Sequence, residues 1–228
     1  MKKLSDFYKI RSASTELIER VSSLAFVEVG DGVYDILGDV DFGDLGLSSL
    51  LEVTALLKEL TSSKVPVRIR IVQGDFECDC NSLKDLRGAP ERVEGDFECS
   101  SNELETLEGA PRYVSKDFMC SSNNLTNLIG APQYVGEGFY CPNNQLVSLE
   151  GAPKRIEEDF SCWGNHLRAL AGAPEYVGKD FDCSSNALVS LEGAPKYVGG
   201  DFVCYENPRK FTREEVRKLV NVRGKIRV

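Results

Sequence analysis

The stretch Gly95-Asp96-Phe97-Glu98-Cys99-Ser100-Ser101-Asn102-Glu103-Leu104-Glu105-Thr106-Leu107-Glu108-Gly109-Ala110-Pro111-Arg112-Tyr113-Val114 decides the fold, because it returns column by column every 21 residues. Phe76, Phe97, Phe118, Phe139, Phe160, Phe181 and Phe202 keep that interval, and so do Cys78, Cys99, Cys120, Cys141, Cys162, Cys183 and Cys204. A constant period of this length marks a repeat array in which each unit buries its apolar face against its neighbours.

Side chains alternate between the two faces of an extended strand, so Phe and Cys of Asp-Phe-x-Cys share one side while Asp and x share the other. Phe and Cys are therefore the buried pair. Stacking the copies predicts a phenylalanine spine with the cysteines beside it as small hydrophobes. Two leucines and a valine per repeat, such as Leu104, Leu107 and Val114, complete each coil's core. Burying side chains of this kind is worth about 1.5–3 kcal/mol each, enough to hold the array together without disulfides. Cysteines in structural register also argue against a secreted disulfide framework. No Cys-x-x-Cys pair or neighbouring histidine gives zinc-ligand spacing, so neither metal nor cofactor is expected.

The asparagine column (Asn81, Asn102, Asn123, Asn144, Asn165, Asn186, Asn207) falls where the strand must turn, and a buried amide there can satisfy backbone groups of its own and adjacent coils. Gly-Ala-Pro then makes a narrow return: glycine permits unusual dihedrals and proline discourages helix. The far side of the coil is expected to be extended or turn-like.

Up to this point the pattern resembles the leucine-rich-repeat family, with Phe-x-Cys-x-x-Asn-x-Leu standing where that family has Leu-x-Leu-x-x-Asn-x-Leu. The likeness spans roughly residues 38–207 and implies a solenoid of the α+β kind, with a parallel sheet on its concave face. The Leu-x-Gly-Ala-Pro-x-x-Val segment is similar to short proline-containing repeats of bacterial effectors and to repeat proteins of tailed bacteriophages and bacteria, which implies a phage or bacterial origin. The 21-residue period departs from the effector pattern, and the C-terminal region is too short for a ligase domain.

Both ends of the array need covering. Gly38-Asp39-Val40-Asp41-Phe42 reads as a degenerate first repeat, followed by a helical insertion near 51–64, chiefly Leu51–Thr61. Before it, residues 1–37 form an N-terminal cap, a helix starting at Ser14-Thr15-Glu16-Leu17 and a hairpin around Gly30-Asp31-Gly32. Residues 208–228 form a basic C-terminal cap: Thr212-Arg213-Glu214-Glu215 is a capping box, and 224–228 a closing strand.

The net charge of −9 is unevenly spread. Residues 208–228 hold eight Lys or Arg against Glu214 and Glu215, a surplus of six that leaves −15 on the first 207 residues. An acidic body repels phosphate backbones, so direct nucleic-acid binding by the main surface is not expected. For the basic tail, a solvated cap and a docking or nucleic-acid patch both stay open. No run is apolar enough for a signal peptide or membrane span, which places the protein in the cytoplasm, the host's if it is phage-encoded.

Positions alternating with Phe and Cys face outward. One such column is Asp75, Asp96, Asp117, Gly138, Asp159, Asp180, Asp201; a second is Glu77, Glu98, Met119, Tyr140, Ser161, Asp182, Val203; a third is Asp79, Ser100, Ser121, Pro142, Trp163, Ser184, Tyr205. Stacked aspartates about 5 Å apart repel one another, so backbone, Ser or Lys hydrogen bonds, or a cation or basic partner, must offset them. Met119, Tyr140, Pro142, Trp163 and Tyr205, with Asp182, Glu77, Glu98, Asp117 and Asp159, form the expected partner-binding surface, since large aromatics without a core duty anchor interfaces. The Tyr113, Tyr134, Tyr176, Tyr197 column, shared with Arg92 and Arg155, reads as a structural ladder.

Catalysis finds no support in the sequence: the single histidine, His166, sits in a variable slot, and no nucleophile has a base partner. The expectation is a non-catalytic solenoid that binds a bacterial protein through its concave face, with blocking of a host antiviral defence component as what the phage resemblance implies. An acidic decoy mimicking nucleic acid is the alternative, an enzyme using the acidic bowl the least supported, and self-association through the same face stays open.

Overall fold

A computed structural model describes residues 14–228, and it is a repeat β-solenoid of about seven turns. Each repeat contributes a two-residue strand at Phe-x, and these strands pair in parallel with Phe opposite Phe: Phe76 with Phe97, Phe97 with Phe118, and onward to Phe181 with Phe202. Val40–Asp41 precedes them in register, and Ile226–Arg227 follows, giving nine strands in one sheet.

Inside this sheet the expected spine is present. Phe76 through Phe202 are at most 1% exposed, and successive ring centroids lie 5.1–5.6 Å apart. The seven periodic cysteines are buried beside them as free thiols, while Cys80 is exposed. The core leucines and valines of the repeats are buried throughout.

Asparagine closes each coil. Asn144 donates from Nδ2 to the carbonyls of Cys120, Cys141 and Pro142, while its Oδ1 accepts the Leu125 N–H, so one amide bonds two coils. The pattern recurs at Asn102, Asn123, Asn165 and Asn186. Among the described residues no buried side-chain nitrogen or oxygen lacks a partner. At the return, Ala152 N–H bonds the Leu149 carbonyl across Gly151, whose φ of +98 suits glycine and whose added Cβ would lie 2.3 Å from the Leu128 backbone of the preceding coil. Two constraints, dihedral and contact, thus fix glycine in this column.

On the far side the structure goes further than extended chain. The residue pairs at Arg92–Val93, Tyr113–Val114 and Tyr134–Val135 are strands of a second sheet with Arg68–Val72 and the hairpin Phe26–Gly30/Val33–Ile36, parallel except within the hairpin, and Arg155–Ile156, Tyr176–Val177 and Tyr197–Val198 with Asn221–Val222 form a third, parallel one. The column is the expected ladder: Arg92 lies 3.6 Å over the Tyr113 ring, which stacks on Tyr134, and Arg155 lies 3.7 Å over Tyr176, which stacks on Tyr197. Pairing is interrupted between Tyr134 and Arg155, where one such stack ends and the next begins.

Among the described residues, three helices flank or interrupt the array. Helix α1 (Thr15–Ser23) starts at Ser14, whose hydroxyl accepts the Leu17 N–H, and α2 (Leu51–Thr61) buries Val53, Leu56 and Leu57. Helix α3 (Arg213–Leu219) carries the expected capping box between Thr212 and Glu215. The outer carbonyls of the long sheet's two edge strands are both bonded by arginine: Arg20 of α1 donates to Asp41 O, and Arg213 of α3 donates to Ile226 O. A donor on an edge carbonyl denies that edge to a foreign strand.

Candidate functional site

The outward face of the nine-stranded sheet carries the three columns read from the sequence. The aspartates are structural. Each presents Oδ1 to the backbone N–H of the corresponding residue one coil on: Asp75 to Asp96 at 2.8 Å, Asp96 to Asp117 at 3.0 Å, Asp117 to Gly138 at 2.7 Å, Asp159 to Asp180 at 2.8 Å and Asp180 to Asp201 at 2.7 Å. This N–H, more than the nearby Lys116, holds Asp75 below the usual carboxylate range.

The ladder breaks once, at Gly138. Tyr140, two residues on, leans back over this glycine: a Cβ there would lie 2.6 Å from the ring's Cε2 and hydroxyl. The Tyr140 hydroxyl stands 3.5 Å from Asp159 Oδ2. Burial first, then the Asp117 and Asp159 charges, push the phenol far above its ordinary value, and burial raises Asp117 against the opposing Gly138 N–H. Tyr140 is thus a neutral plug in the acidic column.

Strand order sets Met119, Tyr140 and Ser161 side by side. Met119 and Tyr140 are half-buried. Trp163 and Tyr205 project, at 39% and 44% exposed, with the buried Ser184 on the coil between them. Pro142 is a correction: the sequence reading set it in the exposed aromatic surface, but it is buried, and its carbonyl accepts the amide of Asn144 and the N–H of Ser122. A proline has no N–H to leave unpaired here, so packing of its ring is compatible with the turn.

The remaining acids divide by function. Glu98 Oε1 accepts the Ser100 N–H at 2.9 Å, and Asp182 Oδ1 accepts the Ser184 N–H and hydroxyl at 2.9 and 2.6 Å. Glu77 is exposed. Partial desolvation of its carboxylate against the neighbouring strands and then the charges of Asp41, Asp79, Asp75 and Glu98 raise its pKa, and burial raises that of Glu98 despite the Ser100 bonds. The face therefore runs from net negative charge around Glu77, offset at Asp41 by Arg20 and at Asp75 by Lys116, to aromatic surface at Tyr140, Trp163 and Tyr205.

Two features escaped the sequence reading. The role of Gly138 was signalled only by its being the single non-aspartate in its column. The convergence of Arg213, Arg217, Lys225 and Arg227 around one depression depends on α3 packing against the last strand, which spacing does not reveal. Among the described residues no group of His, Cys, Asp or Glu is placed to hold a metal ion, and no helix is long and apolar enough to cross a membrane. Compared with known proteins, the chain matches no protein-family model and no curated relative.

Proposed function

We propose that this chain is a non-catalytic binding protein of the leucine-rich-repeat type, with residues 38–207 as its solenoid, 1–37 and 208–228 as its caps, and the outward, concave face of the nine-stranded sheet as its partner site. The observation that carries the reading is the projection of Trp163 and Tyr205 from a column that alternates with the buried Phe and Cys and whose other members Pro142 and Ser184 turn inward. Aromatic side chains on a rigid frame anchor protein interfaces because they bury much area for little lost rotamer freedom. Tyr140 and Met119 extend that surface, and the acids around Glu77 give it a charged rim. The resemblance to phage and bacterial repeat proteins directs the search to bacterial cytoplasmic partners, a host defence component among them.

Pull-down from bacterial lysate with wild type and a Trp163→Ala, Tyr205→Ala variant tests the face. Neither residue supports the core, so the variant is expected to keep its circular dichroism and to lose the partner. Equal recovery of the same proteins removes the assignment.

The carboxylates gathered around Glu77 and Glu98 favour a second reading, an acidic decoy for nucleic-acid-handling proteins, since a basic partner would relieve repulsion that Arg20 and Lys116 offset only at Asp41 and Asp75. That reading requires capture to collapse as salt rises, whereas anchoring by Trp163 and Tyr205 persists.

A further inference from the structure

Beyond that protein-binding face, the opposite chemistry gathers at the C-terminal end of the solenoid. A depression of about 390 Å³ lies between α3 and the last strand, lined by Arg213, Arg217, Gly224, Lys225, Ile226 and Arg227. Four cationic side chains converge on it and no carboxylate lines it.

Two of the cations are oriented in advance. Arg213 is tethered through Nε to the Ile226 carbonyl at 3.1 Å, and Arg227 through Nε and Nη2 to Asp201 Oδ2 at 3.0 and 2.7 Å. Those bonds engage one side of each guanidinium and leave both terminal nitrogens of Arg213 and Nη1 of Arg227 without a hydrogen bond among the described residues. Arg217 and Lys225 make no ion pair with any described carboxylate, unlike Arg209, which Glu215 neutralises.

Fold stability accounts for part of this grouping only: Arg213 closes the sheet edge at Ile226, Arg217 stands in the helix's last turn and Arg227 pairs with Asp201, while Lys225 makes no ion pair with any described carboxylate. Arg213 and Arg217 are like charges four apart on one helix, and Arg213 stands in the helix's first turn, where the peptide dipoles disfavour a cation. Asp201 lies behind Arg227 and balances one charge of the four. The arrangement is what a compact anion would stabilise.

We propose that this depression is a phosphoryl-binding site for a small dianion, the phosphate of a metabolite or the terminal phosphate of a nucleotide chain. Guanidiniums present paired donors that match phosphate oxygens, and a dianion concentrates its charge within the depression. An extended acidic peptide or a nucleic-acid backbone would have to run on over the acidic body, which repels it.

Calorimetric titration of the full chain with inorganic pyrophosphate at low ionic strength tests the site. One-to-one binding is expected, weakened by about tenfold or more in Arg217→Gln, Lys225→Gln, because each charge-assisted contact is strong. Arg223→Gln, outside the depression, leaves it unchanged. No binding by wild type, or equal affinity in the double variant with its circular dichroism intact, overturns the proposal. Octanucleotides bearing a 5′-phosphate or a 5′-hydroxyl separate the sources. Binding of the phosphorylated strand alone identifies a terminal phosphate, and binding of pyrophosphate but neither strand a small metabolite. Equal binding of both strands, tightening with length, means backbone recognition and overturns it.

Discussion

Asparagines and aspartates each recur down the whole solenoid, and each column ties coil to coil through side-chain hydrogen bonds, yet Asn144 is 3% exposed with four bonds while Asp96 is half-buried and accepts one. Where water can replace a lost partner the loss is small, and where it cannot the orphaned backbone groups keep their full desolvation cost. Regularity in a sequence column therefore reports geometry, and burial sets its energetic weight.

Asn144→Ala is the largest effect expected from this contrast. It orphans the Leu125 N–H and removes the donor to three carbonyls, and should cost about 3–5 kcal/mol in a urea titration. Asp96→Ala, measured in the same way, should cost about 0.5–1 kcal/mol. Equal costs would break the comparison.

Restoring the missing aspartate sharpens it. Gly138→Asp alone drives a Cβ into the Tyr140 ring and is expected to destabilise by about 1–3 kcal/mol. Added to Tyr140→Ser, the same substitution should lose most of that cost, and the difference in the double-mutant cycle measures how far Tyr140 acts as the plug.

Burial also separates the thiols. Disulfide-exchange reagent is expected to titrate Cys80 alone in the folded protein and the other seven only after denaturation, since burial pushes their pKa values up, Cys204 to about 11. Ready labelling of several periodic cysteines without unfolding would invert the assignment of inside and outside.

The smallest effects lie in pH. Asp75, lowered chiefly by the Asp96 N–H, stabilises the fold above the ordinary carboxylate range and loses that contribution as pH falls through its own depressed value. Asp75→Asn should melt below wild type at neutral pH, the gap closing in acid. Glu98, raised chiefly by burial, has the opposite sign: its ionised form is disfavoured in the fold, and protonation on acidification relieves that. Glu98→Gln should melt above wild type at neutral pH and level with it in acid.

Much of the architecture was legible because each column was repeated. Phe and Cys inside, Asn at the turn and helix at Leu51–Thr61 all follow from period and alternation, and the structure places them so. The second and third sheets were not legible, since the periodic segment after Gly-Ala-Pro reads equally as extended chain or turn until the spacing between neighbouring coils lets its backbone pair. Of the candidate site, Trp163 and Tyr205 project as read, whereas Pro142 turns inward and Tyr140 folds back over Gly138.

By itself the sequence determined the solenoid, its period and its inward set, because covalent alternation along a strand needs no knowledge of neighbours. Only the tertiary structure decided which outward residues remain free. It also decided that the aspartates spend an oxygen on backbone N–H groups, and that four basic residues from a helix and a strand meet at one depression. Those outcomes depend on distances between coils and between packed elements, and such distances do not exist until the chain has folded.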